Sequence, residues 1–363
     1  MVVHQPPVLC STAMRYYQLI FIAAALGLLS ACSTIAYYAQ SISGQLRLLS
    51  GREPIQDLIT NPQTKTSLKQ RLVQAQKIRD FASKALDLPD NDSYRTYVQL
   101  NHPFIVWSLF ATPEFSLQPH QWCFPIVGCV PYRGYFSQLA AEALAQELHM
   151  QGMDVYVGGV AAYSTLGWFD DPLLSSMLLQ GDLGTASIIF HELAHQQVYV
   201  QGDTVFNESF STAVEKAGVR RWLQARGKRT ELRAFDAAWR RKQDFFDLVE
   251  TTRARLSTLY ERNMNAMRKR TTKRAIIAAM REDYRDLKAH WGGYGGYDYW
   301  FNKPINNAKL AAVAIYRDFV PDFERLLAAC GGDFARFYRD AAKLGELQPA
   351  ERRARLNTVA TCS

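Results

Sequence analysis

The stretch Ser187–His195 reads SIIFHELAH and predicts a helix that carries two histidines on one face. His191 and His195 are four residues apart, so their imidazoles project together and reach one ion. The apolar neighbours Phe190 and Leu193 indicate a buried helix, in which two unpaired histidines would be costly. We therefore predict a Zn²⁺ site with neutral imidazole ligands. Two surface histidines are the alternative, because HExxH arises by chance in on the order of one chain in a hundred of this length.

Glu192 lies inside the same motif, beside the predicted metal. A carboxylate in this position accepts a proton from a metal-activated water and passes it to a leaving group. Glu192 is therefore the predicted catalytic residue.

Glu208 is the predicted third ligand. We expect the first helix to run to about Val200, a turn to follow, and Thr204 to cap a second helix. With a rise of about 1.5 Å per residue, His195 and Glu208 then lie at similar distances from the turn. If the two helices are antiparallel, the carboxylate completes a His₂Glu site that leaves one position open for water.

The amino-terminal sequence predicts an export signal over residues 1–31. An apolar run over residues 16–31 follows Arg15 and ends in small residues, and it is shorter than the roughly 20 residues of a permanent span. Residues 29–32 read LSAC and resemble the lipobox of bacterial lipoproteins, which implies lipid on Cys32. We expect a lipid-anchored protein of the bacterial cell envelope that faces the periplasm. An ordinary cleaved signal is the alternative.

The remaining cysteines predict two disulfides. Cys123 and Cys129 bracket a short turn-prone loop, and Cys330 with Cys362 would tie the carboxyl-terminal tail to the last helix. An even set of cysteines suits the oxidising periplasm. A four-cysteine zinc site is the alternative, although no CxxC pair is present.

The composition is that of a folded protein. The chain has 363 residues, of which 48% are hydrophobic and 21% charged, which excludes wholesale disorder and a small disulfide scaffold. Its net charge of +8 names no partner by itself. Two basic clusters are predicted to be solvated helix faces or lipid contacts, with no nucleic acid as a partner: Arg220, Arg221, Arg226, Lys228 and Arg229, and Arg268, Lys269, Arg270, Lys273 and Arg274.

The pattern of elements predicts an α+β fold, mainly helical with a small β-sheet. Helices are expected over residues 55–86, broken near Asn61–Pro62, and over 136–150. Strands are expected at 104–110 and 154–160, and nearly everything after Leu183 reads as helix. The predicted organisation is a signal at 1–31, a helical region at 32–95 and a metallopeptidase domain at 96–363.

Several stretches carry a family resemblance. Asn207–Ser211 reads NESFS and resembles the NExxS sequence with the glutamate ligand of thermolysin-like gluzincins, although the 12 residues between His195 and Glu208 are fewer than is usual there. A closer resemblance is to the predicted bacterial aminopeptidases known as zinc lipoproteins. It rests on the lipobox and on YSTLGWFDDP at 163–172, FHELAHQ at 190–196, NESFSTAVE at 207–215 and NNAKL at 306–310. The resemblance implies a zincin-like fold and a membrane-anchored zinc aminopeptidase acting on peptide or protein substrates. A metallo-endopeptidase and a non-catalytic envelope-binding lipoprotein remain alternatives.

Other residues receive weaker roles. Glu215 lies two helical turns after Glu208, so it is a candidate to orient a ligand histidine, with a surface salt bridge as the alternative. Residues 163–168 are predicted to be a strand, either an edge that pairs with substrate or a packed one. The glycine-rich loop at 290–300 offers candidates for stabilising an oxyanion, with simple aromatic packing as the alternative; the candidates are Tyr294, Tyr297 and Tyr299.

Overall fold

The computed structural model describes residues 35, 37–124, 128–162, 164–315, 319–358 and 361–362. The chain divides into two compact units, residues 1–50 and 51–363. In the first unit, residues 37–50 form helix α1. The predicted signal and Cys32 lie outside the described residues. Of the helices within these ranges, none has both the length and the hydropathy that a membrane span requires.

The larger unit is mainly helical. Its described helices are α2 (Ile55–Thr60), α3 (Thr66–Leu86), α4 (Gln138–Met150), α5 (Ser175–Leu178), α6 (Gly181–Gln197), α7 (Thr204–Ala225), α8 (Arg229–Glu261), α9 (Ala266–His290), α10 (Asp298–Asn302), α11 (Asn307–Ala314), α12 (Val320–Ala329), α13 (Phe334–Glu346) and α14 (Pro349–Asn357). Its described strands are β1 (Glu53–Pro54), β2 (Thr96–Val98), β3 (Val106–Pro113), β4 (Trp122–Phe124), β5 (Gly128–Val130), β6 (Arg133–Tyr135), β7 (Met153–Val160) and β8 (Leu173–Leu174). The predicted α+β class is confirmed.

The strands form small sheets rather than one large sheet. The main sheet has the order β6-β3-β7 and is antiparallel, with Val106 opposite Val160 and Pro113 opposite Met153. A second sheet has the order β1-β2-β8, in which β2 and β8 run parallel. β4 and β5 form a hairpin that places Cys123 opposite Cys129.

Strand β3 is buried on both faces, which explains its continuous apolar run. Leu109 and Ala111 point to one side of the sheet and pack against Ala145 of α4. Phe110 points to the other side and packs against Ala308 of α11. The sheet is thereby enclosed between helices, as the embedded sheet of the sequence prediction requires.

Most of the predicted elements are present. The break near Asn61–Pro62 is confirmed, because α2 ends at Thr60 and α3 begins at Thr66. The expected strands correspond to β3 and β7, and the expected helix at 136–150 corresponds to α4. Helix α3 precedes the predicted boundary at residue 95 but belongs to the larger unit, where Phe81 contacts Phe190 of α6 at 6.3 Å between ring centroids. The three predicted domain ranges themselves stay a prediction.

Both predicted disulfides are confirmed. Cys123 and Cys129 join the two strands of the β4–β5 hairpin, and Cys330 at the end of α12 binds Cys362 in the carboxyl-terminal tail. The expectation that Cys330 belongs to the last helix is wrong, because α13 and α14 lie between the two cysteines. The four-cysteine zinc site is excluded, because these thiols are used in the disulfides.

Candidate metal centre

Helices α6 and α7 form an antiparallel pair joined by a short connection. Residues close to each other across the pair run in opposite order: His191 contacts Glu215, whereas His195 contacts Ser211 and Glu208. The predicted end of the first helix at Val200 is wrong, because α6 ends at Gln197. The connection is therefore longer than expected by about one helical turn, yet the ligand residues still meet.

Two polar side chains fix the connection. The predicted cap at Thr204 is wrong, since Asp203 is the N-cap of α7 and its carboxylate accepts a hydrogen bond from the Phe206 N–H at 3.0 Å. Asn207 is buried and makes two hydrogen bonds of 2.8 Å with the backbone N–H and C=O of Val200. The asparagine next to Glu208 thus holds the connection against α7 and sets the height of the following glutamate.

The predicted ligand residues converge. The Nε2 atoms of His191 and His195 are 3.2 Å apart, and the Glu208 carboxylate lies 3.2 Å from the first and 3.7 Å from the second. One ligand atom from each residue falls within a common span of 4.8 Å. Ligand atoms about 2.0–2.1 Å from a tetrahedral zinc ion are about 3.3 Å apart, so the donor set has the spacing and the N/O chemistry that zinc requires.

Two further side chains support the imidazoles from behind. Glu215 Oε2 lies 3.3 Å from His191 Nδ1, and Ser211 Oγ lies 3.0 Å from His195 Nδ1. When each Nδ1–H donates outward, each Nε2 turns its lone pair toward the centre of the cluster. Glu215 is therefore where the sequence places it. Ser211 was not identified from the sequence, although its spacing from Glu208 and Glu215 puts it on the same face of α7.

The electrostatics of the cluster favour a cation. Burial lowers the pKa of His191, but hydrogen bonds with Glu208 and Glu215 outweigh burial and raise it to about 10. Burial lowers the pKa of His195 to about 4, because the charge of Glu208 offsets only part of the effect of burial. Burial acts to raise the pKa of Glu208, yet His195 and His191 outweigh it and the net shift is downward. Two carboxylates at a histidine pair thus attract positive charge, which a proton on His191 or a divalent cation supplies.

Glu192 lies on the same helix as the histidines, and burial raises its pKa to about 7 although His191 acts in the opposite direction. A carboxyl group with a pKa near neutrality is suited to accept and return a proton. It precedes Gln196 by one helical turn, so these two side chains share a face of α6.

Tyr199 is a residue near the cluster that was not identified from the sequence. It follows α6 in the connection, and its pKa is raised by burial and further by the Glu208 carboxylate. The sequence spacing between His195 and Tyr199 does not predict that the tyrosine lies near the cluster, because Tyr199 belongs to the irregular connection and not to a helix.

Two of the three candidate tyrosines of the glycine-rich loop pack on α8. Tyr297 stacks on Phe245 at 4.4 Å between centroids, and the Arg241 guanidinium lies 4.2 Å from the Tyr294 ring. Tyr299 is 77% exposed. Among the contacts described for these tyrosines, none joins them to the histidine cluster, so their oxyanion role stays a prediction.

The predicted strand at 163–168 is wrong for the residues that the structure describes. Tyr163 lies outside them, and residues 164–170 form an irregular turn between β7 and β8. Leu166 adopts a left-handed conformation with φ of 57°, followed by Gly167 at 80°, which no β-strand accommodates. The apolar and β-branched residues of this stretch therefore serve a turn that is fixed by tertiary contacts.

The basic clusters are largely engaged within the protein. Arg220 binds Asp236, and Arg221 donates hydrogen bonds to the backbone carbonyls of Ala85 and Gly332. In the second cluster, Lys273 forms an ion pair with Asp154.

Comparison with known protein families identifies the family of this chain. The sequence profile of a family described as "Putative aminopeptidase" matches residues 36–356, which include α6, α7 and the whole histidine–glutamate cluster. No curated protein and no solved structure was found to match the chain.

Proposed function

We propose that this chain, which belongs to the family described as "Putative aminopeptidase", is a zinc-dependent peptidase with a zincin-like fold whose metal ligands are His191, His195 and Glu208. The observation that carries the proposal is the convergence of two imidazoles and one carboxylate within 4.8 Å. Glu192, the proposed general base beside them, supports a catalytic site, because a structural zinc site does not need a general base.

Zinc, when bound, supplies a Lewis acid for the substrate carbonyl and for the attacking water. The protein supplies the rest. Glu215 and Ser211 hold the two imidazoles with their Nε2 atoms directed inward, at Nδ1 contacts of 3.3 and 3.0 Å. Because these partners belong to α7, the helix that also carries Glu208, all three ligands keep a fixed relation to one another.

Glu192 moves the proton. Its carboxylate takes one proton from the attacking water as the new C–O bond forms at the peptide carbonyl. The same carboxyl group then gives the proton to the departing amine as the C–N bond breaks, so the residue returns to its starting state.

The family supports an aminopeptidase, and a metallo-endopeptidase is the alternative with the same chemistry. The experiment uses the full-length protein in detergent: zinc per chain is measured first, and a peptide library is then digested with and without a chelator. Chelator-sensitive removal of single amino-terminal residues supports the aminopeptidase, and internal cuts support the endopeptidase. Bound zinc without any cleavage contradicts the proposed activity and supports a binding lipoprotein.

We propose separately that Cys32 is acylated and anchors the protein to the envelope membrane on its periplasmic side. This rests on the lipobox sequence alone. The Cys32→Ser variant should move from the membrane fraction to the soluble periplasmic fraction, with an unchanged zinc content. Retention in the membrane of a variant from which residues 1–31 have been removed, as checked by its mass, contradicts the lipid anchor.

A further inference from the structure

The turn formed by residues 164–170 (the 164–170 turn) is held by a buried carboxylate. Asp171 is only 3% exposed and accepts hydrogen bonds from the Thr165 N–H at 3.0 Å and the Ser164 hydroxyl at 3.4 Å. The Thr165 hydroxyl in turn donates to the Phe169 C=O at 3.0 Å and accepts from its N–H at 3.2 Å. The turn is therefore closed on itself and attached to the core at one end.

Asp171 also ties the turn to helix α6. The Gln196 side-chain amide donates to Asp171 at 3.4 Å and to the Ser93 hydroxyl at 3.3 Å, while its oxygen accepts from Asn91 at 2.8 Å. Gly167 lies against the same glutamine, since a Cβ built on it would be 3.9 Å from Gln196 Cγ. Gln196 follows the ligand His195 directly, so the turn is anchored next to the metal centre.

The contact between Asp171 and Gln196 shows which face of α6 the turn covers. Gln196 is one helical turn after Glu192, so both side chains are on the same face of the helix. The 164–170 turn thus lies on the face that carries the proposed general base. A peptide bond that reacts there must lie on that face as well.

The turn presents aromatic surface to solvent. Trp168 is 68% exposed and Phe169 is 50% exposed, although Asp171, two residues further along the chain, is buried. Large exposed aromatic rings that are held by a rigid backbone are typical of ligand contacts, because they offer apolar area at a low cost in conformational entropy.

We propose that Trp168 and Phe169 form an aromatic subsite that contacts an apolar side chain of the peptide substrate beside the scissile bond. Asp171 is the positioning residue of this subsite, because it connects the turn to Gln196. The inference rests on the proposed peptidase function and adds its substrate class: peptides with a large apolar residue at the cleaved position.

The test compares two peptides that differ only in phenylalanine or alanine beside the cleaved bond. In the double variant Trp168→Ala/Phe169→Ala, we expect kcat/KM for the phenylalanine peptide to fall by about 10- to 100-fold, while that for the alanine peptide changes by less than about threefold. Leu139→Ala is the matched control, because Leu139 is 79% exposed on α4 and its removal should leave both values unchanged.

Asp171→Asn tests the positioning role. We expect the variant to raise KM for the phenylalanine peptide with little change in kcat and with full zinc content. Equal losses of kcat for both peptides would indicate a general structural defect and would overturn the positioning role.

A binding measurement checks the subsite without turnover. In the Glu192→Gln variant, the phenylalanine peptide should protect part of the tryptophan fluorescence from iodide quenching. The protection should be absent when Trp168 is also replaced by Phe. Equal protection with and without Trp168 contradicts the contact.

The outcomes separate the inference from the function on which it rests. A wild-type protein that cleaves neither peptide ends the peptidase proposal and the subsite with it. A wild-type protein that cleaves both, with unchanged selectivity in the double variant, overturns the subsite alone. A third outcome is that the double variant no longer binds anionic phospholipid vesicles but keeps its selectivity between the two peptides. This result assigns the aromatic pair to the membrane surface and overturns the subsite as well.

Discussion

Glu215 provides the sharpest test of how α7 supports the proposed metal centre. Its carboxylate lies 3.3 Å from His191 Nδ1, and its side chain is 16% exposed. A hydrogen bond to a charged group in such surroundings contributes about 1.5–3 kcal/mol, which corresponds to about 10- to 150-fold in an equilibrium constant. Outer partners of metal-binding histidines typically change affinity by about 10- to 100-fold.

We therefore expect Glu215→Ala to lower zinc affinity by about 10- to 100-fold. Glu215→Gln should lose less, because the amide oxygen still accepts the Nδ1–H but carries no charge. The assay is competition with a chromophoric zinc chelator at neutral pH, after the stoichiometry of each variant has been measured. Glu324→Gln is the matched control, since Glu324 pairs with Lys216, the next residue of α7, at a more exposed site.

The result that refutes this reasoning is an affinity of Glu215→Ala within a factor of two of the wild type. It would mean that the His191 ring is held by packing alone. A loss much larger than about 100-fold contradicts it in the other direction, because it would indicate that Glu215 binds the metal directly.

Further predictions concern the ligand, the base and the scaffold. Glu192→Gln should abolish hydrolysis while zinc stays near one equivalent, as measured by metal analysis and peptide digestion. Glu208→Ala should weaken zinc binding by at least about tenfold in the same competition assay, because a direct ligand is lost. Asn207→Ala removes two buried hydrogen bonds of 2.8 Å and should lower the free energy of unfolding by about 2–3 kcal/mol in urea titrations. Replacing Cys330 and Cys362 by serine opens a loop of sequence separation 32 and should cost about 2–4 kcal/mol in the same titrations.

Each of these has an outcome that contradicts it. If the zinc-loaded Glu192→Gln variant keeps its activity, Glu192 is not the general base. If the Glu208→Ala variant keeps its zinc affinity, the third ligand is another carboxylate. For the two stability predictions, Leu139→Ala serves as the control, and a change no larger than that of this exposed position contradicts the role assigned to Asn207 or to the disulfide.

The convergence of His191, His195 and Glu208 was predictable from the sequence because the geometry of the two histidines is helical and therefore local. The spacing of His191 and His195 fixes their common face without any tertiary information. Glu208 and His195 lie at similar distances along the sequence from the predicted turn, and the structure brings Glu208 to the histidines although α6 ends three residues earlier than expected. The longer connection still lies against α7, because the Asn207 side chain forms hydrogen bonds with the backbone of Val200.

The surroundings of the cluster were less predictable because they depend on contacts between distant parts of the chain. The 164–170 turn contains Thr165, Trp168 and Phe169, which are residue types that favour a strand locally. Its conformation depends instead on Asp171 and on the Gln196 amide, and neither contact leaves a periodic signal. The disulfide between Cys123 and Cys129 was predictable because only six positions separate the two residues.

The α6–α7 pair concentrates the proposed metal chemistry in one continuous segment. Both imidazoles, the carboxylate and the two side chains that steady the rings fall between His191 and Glu215, a span of 25 residues counted along the sequence. A segment this short closes on itself at little entropic cost, so the proposed metal pocket is close to a self-contained helical hairpin. The proposed metal chemistry could therefore be grafted onto another scaffold as one segment. The proposed substrate subsite could not, because it depends on contacts between residues as far apart in the chain as Asn91 and Phe169.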